Sequence, residues 1–339
     1  MRRRRAVGYQ NQAWLDQWRE PVIDPDQLIC DPHHHLWDHV THRYLLDEFK
    51  QDLDSGHRVV STVFVECASM YNVDAAVALA PVGETEFVNG VAAMSASGAY
   101  GTGRIAAGIV GFADLMLGRE VAAVLDAHMV ASSRFRGIRH TTGWHESQSI
   151  RNSHSNPVAG QMGDSTFREG FAELAPRGLS FDAWFYHPQL KELIDLADAF
   201  PNTQIILDHF GGPLGVGPYE GKAAAVFEVW RKDMMILAKR PNVAVKLGGL
   251  VMPINGFGLH KRRKPPTSDE LKALTGDYYR CAIEEFGPER CMFESNFPVD
   301  RQSCSYLVLW NSFKKLVKDA SPDEKASLFH DTATRIYRL

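Results

Sequence analysis

Two histidines one residue apart, His33 and His35, stand in the stretch Asp31-Pro32-His33-His34-His35-Leu36-Trp37, directly after the apolar run Leu28-Ile29-Cys30. Side chains alternate across a strand, so an extended Asp31 to His35 puts both imidazoles on one face, about 7 Å apart along the chain. That spacing lets two rings grip one metal ion or one substrate, although such a pair also occurs as capping or core histidines. Other polar groups fall late in otherwise apolar runs: Glu66, Arg139-His140, Asp208-His209, Lys246, and Glu294 with Asn296. Their joint placement favours a site over routine turn polarity.

The elements that must position these groups are strands alternating with helices. Strand-like runs cover Leu28 to His33, Val59 to Glu66, Arg104 to Phe112, Phe135 to His140, Leu179 to Phe185, Gln204 to His209, Val243 to Leu247 and Arg290 to Ser295. Eight strands with intervening helices close a barrel, whose chemistry gathers at the C-terminal strand ends. Helical apolar spacing predicts helices over Thr85 to Ser97, Glu120 to Val130, Gln189 to Ala199 and Lys222 to Lys239. Two connections, 141–164 and 248–268, are long and rich in Gly, Pro or small polar residues. Both follow strands, so in a barrel they overhang the mouth as lids or specificity elements. The reading is an arm over residues 1–26 and a single α/β domain over 27–339.

Length allows one large α/β barrel or two average domains, and the composition is that of an ordinary soluble globular protein. The 339 residues are 45% hydrophobic and 23% charged, which excludes disorder across the whole chain. A net charge of -4 gives no general reason to expect nucleic acid, and the basic runs Arg2 to Arg5 and Lys261 to Lys264 read as a solvated terminus and a solvated loop. Five scattered cysteines without Cys-x-x-Cys spacing fit reduced thiols in a cytoplasmic protein. The residues after Arg5 are too polar for a signal peptide, and no window approaches a membrane span.

Five segments in order carry a family resemblance: Asp31 to Trp37; Phe135-Arg136-Gly137-Ile138-Arg139-His140; Ile206-Leu207-Asp208-His209-Phe210-Gly211-Gly212-Pro213; Val245-Lys246-Leu247-Gly248-Gly249-Leu250; and Cys291 to Val299. The chain resembles the amidohydrolase superfamily, in its amidohydrolase-related (type 2) branch with sugar-lactone and pyrone-dicarboxylate lactonases and, more distantly, decarboxylases. The resemblance runs from about residue 27 to the end and implies a distorted (β/α)8 TIM barrel. It also implies that His33, His35 and His209 are catalytic and the candidate metal ligands, with His209 polarising a carbonyl. Arg139 looks like the position that binds a substrate carboxylate, a task suited to a guanidinium fork.

The last segment departs from the family. Where most members present Gly-Ser-Asp, this chain has Glu294-Ser295-Asn296, so the usual carboxylate is an amide that cannot take a proton from water. Glu294 lies two residues earlier, on the same strand face, and its longer side chain is expected to bring a carboxylate near the vacated place. Glu66 is the second candidate. The other reading of Glu294 is a buried acid paired with Lys246 or Arg139.

These residues point first to a hydrolase that opens a lactone or related cyclic ester or amide bearing a carboxylate. In this reading Arg139, His140, Lys246 and Glu66 surround the substrate, Trp37 and Trp144 form flat apolar walls, and Glu294 and Asn296 complete the catalytic group. Asp182 and Tyr186 are possible contacts from the fifth strand. A non-oxidative decarboxylase of an aromatic or unsaturated acid, and a binding barrel that has lost activity with the aspartate, are the alternatives. Three histidines with an acid suit one divalent ion, zinc or manganese, while some lactonases of this type work without metal. The partner is a small molecule. Barrels of this kind often pair, which makes a homodimer the expectation from resemblance.

Overall fold

Short runs of Val, Ile, Leu and Phe form eight parallel strands in the computed structural model, which describes residues 11–39 and 42–339. In chain order the strands are β1 (Leu28–His34), β2 (Trp37–His39), β3 (His42–Tyr44), β4 (Arg58–Val65), β5 (Arg104–Gly111), β6 (Phe135–Ile138), β7 (Ser180–Ala183), β8 (Ile205–Leu207), β9 (Val243–Leu247) and β10 (Cys291–Phe293). β2 and β3 pair as a small antiparallel ribbon, and the other eight run β1-β4-β5-β6-β7-β8-β9-β10 in sequence order. Closure falls to the chain after β10. His35 N donates to Phe297 O at 2.8 Å, and Asn296 N donates to His33 O at 2.9 Å. The architecture is a distorted (β/α)8 barrel, as the alternating pattern predicts.

Helices Val82–Ala96, Val121–Ala131, Leu190–Ala199 and Ala223–Leu237 stand where helical spacing placed them. Helix Ser268–Phe286 begins where the long 248–268 connection ends. Thr267 accepts from Glu270 N while Glu270 returns to Thr267 N, which satisfies two backbone donors at its start. Between strands and helices lies a core that includes the fully buried Phe64, Phe181, Leu193 and Trp230. Burial of each such side chain contributes roughly 1.5–3 kcal/mol.

A second apolar cluster fills the barrel itself. Cys30, Val63, Val65, Val110, Ile206, Ala244 and Met292 meet Ala333, Ile336 and Tyr337 of the last helix, Thr332–Tyr337. The chain's final helix therefore plugs the floor. Residues 1–10 of the expected arm, with the run Arg2 to Arg5, lie outside the described residues. Beyond them, Ile23 N donates to Asn311 Oδ1 at 2.9 Å and Lys314 Nζ donates to Ile23 O at 2.9 Å, which holds this stretch against helix Tyr306–Leu316. Among the described residues no helix is long and apolar enough to cross a membrane.

Candidate active site

Pro32 has no N–H to give the ladder, and β1 carries an irregularity there. Asp31 pairs with Thr62 but His34 with Phe64, so three steps of β1 oppose two of β4. Beyond this bulge His33 and His35 face the barrel axis and their Nε2 atoms stand 3.3 Å apart. His34, between them, faces outward: it stacks on Phe49 at 4.2 Å and shares a 2.9 Å hydrogen bond with Thr62. Asp31 fixes the strand in place, accepting from Ser295 N at 2.9 Å and from the Tyr306 hydroxyl at 3.0 Å.

The sixth barrel strand solves a different geometric problem. Asp208 and His209 are consecutive, so an extended strand would send them to opposite faces. His209 (φ 52°) and Phe210 (φ 58°) instead adopt left-handed backbone, and the Asp208 and His209 side chains both lie against His33. The His33 and His209 rings are 4.5 Å apart, and Asp208 Oδ1 is 3.7 Å from His33 Nδ1. Room for this comes from Gly248 and Gly249. A Cβ at Gly249 would overlap the His209 ring, and one at Gly248 would overlap the Glu294 backbone and side chain.

Glu294 does reach the histidines. His209 Nδ1 donates to its Oε1 at 2.6 Å, and its Oε2 stands 2.8 Å from His33 Nδ1. Burial would push this carboxyl up, but the two imidazoles overcome it and hold Glu294 at about 2. His35 Nδ1 is likewise engaged, with Val65 O at 2.8 Å. Because a carbonyl and a carboxylate only accept, His35 and His209 donate from Nδ1, which leaves Nε2 of His35 to face His33 and Nε2 of His209 to face away from Glu294.

Around these rings runs a buried ion network. Lys246 Nζ donates to Asp182 Oδ2 at 2.6 Å and lies 3.1 Å from Asp208 Oδ1. Tyr337, rising from the floor, donates to the same Asp182 oxygen at 2.7 Å. Arg139 donates through Nε to Glu66 Oε1 at 2.8 Å and through Nη2 to the Glu66 carbonyl, while Nη1 stands 3.6 Å from Asp208 Oδ2. Against their burial, Arg139 with His154 holds Glu66 at about 2, and Lys246 with His33 holds Asp208 well below the carboxylate range. Glu66, Asp182, Asp208 and Glu294 thus face two cationic side chains, Arg139 and Lys246, at almost no solvent exposure. Uncompensated buried charge is costly, and a divalent cation would cancel the excess.

The donor set fits such an ion. His33, Asp208 and His209 each present a ligand atom, all within 4.8 Å of one another, and His35 Nε2 adjoins His33. Mixed imidazole and carboxylate donors suit zinc or manganese.

Several expected contacts are corrected. His140 turns away from the axis into the helix layer, accepting from Leu115 N at 3.1 Å and lying between Phe112 and Phe167, because Arg139 takes the inward face. Asn296, in left-handed backbone, turns its amide to Asp300 Oδ1 at 3.1 Å rather than to the histidines. Burial and the nearby Glu294 push that Asp300 carboxyl well up. Arg139 and Lys246 reach the cluster, but their donors are engaged by the chain's own acids. Trp37 backs His35 at 5.8 Å, nearly parallel, with its indole N–H on His42. The ring that packs edge-on against His209, at 4.9 Å, is Trp184 and not Trp144. Stepping by two from the inward Asp182 would have found it.

The 141–164 connection crosses the mouth. His154 Nε2 stands 3.3 Å from Glu66 Oε2, Tyr186 donates its hydroxyl to Arg151 O, and Gln189 donates to Thr142 O at 2.8 Å. His145 bonds to Tyr219 at 3.1 Å and His187 accepts from Leu214 N at 3.3 Å, both outside the cluster.

A family model described as Amidohydrolase matches residues 30–339. The chain belongs to the amidohydrolase family. Among its relatives, an uncharacterized protein y4mH of Sinorhizobium fredii is 36% identical over 328 residues, covering 93% of this chain and 99% of that one. L-Fucono-1,5-lactonase of Burkholderia multivorans is 26% identical over 237 residues, covering 70% of this amidohydrolase and 72% of its own length. A solved amidohydrolase from Burkholderia multivorans, with bound zinc, shares the fold at a TM-score of 0.70 and 23% identity across 92% of this chain and 99% of that chain.

Proposed function

We propose that this amidohydrolase is a metal-assisted hydrolase that opens the ring of a small lactone. The observation that carries the reading is that His33 stands beside both His35 and His209, with ligand atoms of His33, Asp208 and His209 within 4.8 Å of one another, amid four buried carboxylates and two buried cations. His33, His35, His209 and Asp208 would hold a zinc or manganese ion, which supplies Lewis acidity and a more acidic bound water. Trp184 offers an apolar edge beside His209, and the 141–164 lid keeps bulk water from the opened bond. The Asn296 amide cannot take the proton of the attacking water and points to Asp300 instead.

The engagement of Arg139 and Lys246 by Glu66, Asp208 and Asp182 removes the two cations that a substrate carboxylate would want. A neutral, hydroxylated lactone fits this mouth better than the carboxylate-bearing ring expected from the sequence. The likeness to L-fucono-1,5-lactonase supports that class. The test is turnover of neutral sugar lactones against a pyrone dicarboxylate, with zinc or manganese supplied and metal content measured. The neutral lactones are expected to turn over with the higher kcat/KM. Failure to open any lactone in either metal form would sink the proposal, and carbon dioxide release from an aromatic acid would replace it with a decarboxylase.

A further inference from the structure

Glu294 sits where four constraints meet. Its Oε1 accepts the short hydrogen bond from His209 Nδ1, and its Oε2 lies beside His33 Nδ1. Its Cγ occupies the volume that a side chain at residue 248 would need, and the His209 ring occupies the volume that one at 249 would need. Gly249 has φ 65°, a conformation that side chains also disfavour. The Gly248-Gly249 step, Glu294 and His209 are therefore one interlocked unit in which each part leaves room for the next. Glu294 is fully buried and meets the rings on their Nδ1 edges, which leaves the Nε2 edge of His209 untouched by it.

We propose that Glu294 is a positioning residue: it fixes His209 as the Nδ1-protonated tautomer and steadies His33, with Gly248 and Gly249 as the recess that admits it. A ring whose Nδ1–H is held by a carboxylate presents an unprotonated, correctly aimed Nε2. This assigns the carboxylate two residues before Asn296 to orientation and not to taking the proton from water. It rests on the metal-assisted reading above only for its effect on turnover, because tautomer and ion affinity are read without any substrate.

The experiment uses the full chain, with ¹⁵N shifts of the histidine rings recorded on metal-free protein and zinc affinity titrated separately. Glu294→Met removes the acceptor at similar volume. The His209 shifts are expected to move away from the Nδ1-protonated pattern, and zinc Kd to rise about 10–100-fold, the usual cost of losing an orienting partner. Glu294→Gln keeps a carbonyl for the His209 N–H, so the His209 tautomer is expected to persist, with kcat lowered by no more than about 10-fold, well short of the 10²–10⁴-fold that proton-transfer groups contribute. Gly248→Ala, which intrudes on the Glu294 backbone and Cγ while leaving the carboxylate in place, is expected to weaken zinc in the same direction as Glu294→Met. Unchanged shifts and unchanged zinc Kd in Glu294→Met would overturn the proposal. So would a Glu294→Gln protein that binds zinc normally yet loses turnover by 10³-fold or more, since that pattern marks a proton acceptor.

Discussion

His34 is one residue from His33 and from His35, yet the three occupy two different chemical worlds. The inner rings face each other, Glu294 and Asp208 across the barrel axis, while His34 is stacked on Phe49 in the strand-helix layer with a threonine hydroxyl for its partner. His128 repeats the outer pattern: stacked on Phe135 at 4.8 Å, it is bonded to Thr85 and to the Phe112 carbonyl. Burial depresses the outer rings, His34 to about 3 and His128 and His140 to about 4, so they stay neutral. Burial also lowers His33 and His35, but there the neighbouring carboxylates and cations decide which ring edge is free. The contrast teaches that a buried histidine becomes a candidate for chemistry through the ionic company it keeps, and burial by itself says little.

The largest effect that would test this contrast is loss of an inner ring. His209→Ala is expected to lower turnover by about 10³-fold or more and to weaken zinc, checked by steady-state rates and zinc titration. His34→Ala should leave zinc stoichiometry intact while lowering stability by about 1–3 kcal/mol in urea unfolding, because it removes a stack and leaves Thr62 short of a partner. Equal zinc loss in both variants would erase the distinction between the layers.

A smaller separation is expected along the pH axis. The outer histidines have folded values below their ordinary 6.5, so their contribution is full above 6.5 and falls as the pH drops toward 4 to 3. Glu66 and Glu294 have folded values of about 2 against 4.5, so their contribution is full above 4.5 and falls between 4.5 and 2. Urea midpoints measured from pH 8 to pH 3 should therefore decline below 6.5 and more steeply below 4.5, with His34→Gln lessening the decline over the whole span from 6.5 to about 3. The smallest effect is at the rim: His154 is partly exposed, and His154→Ala should change kcat or KM a few-fold with stability within about 0.5 kcal/mol.

Much of the barrel was legible because its signals are local. Alternation placed His33 and His35 on one face, and all eight strand runs form strands with ends within two residues or so. Glu294 could be read as reaching the cluster from the same argument. What alternation cannot reveal is a backbone that leaves the strand, which is why the joint convergence of Asp208 and His209 through left-handed φ values had no sequence signature. Nor does a basic residue announce its partner. Lys246 and Arg139 read as substrate holders until Asp182, Asp208 and Glu66 are seen to engage them. The last helix had no visible reason to enter the barrel floor, since its role depends on contacts with strands distant in sequence.

That floor helix has an unexpected genetic consequence. Tyr337 is joined through Asp182, Lys246, Asp208, Arg139 and Glu66 to His154 on the opposite rim, each link a hydrogen bond or ion pair. Replacing Tyr337 with Phe deletes one hydroxyl on the underside and leaves Asp182 to be shared differently, so every later member of the series must readjust. Substitutions at the two extremities should therefore display epistasis despite sharing no neighbour, and a saturation screen ought to recover suppressors of one at the other.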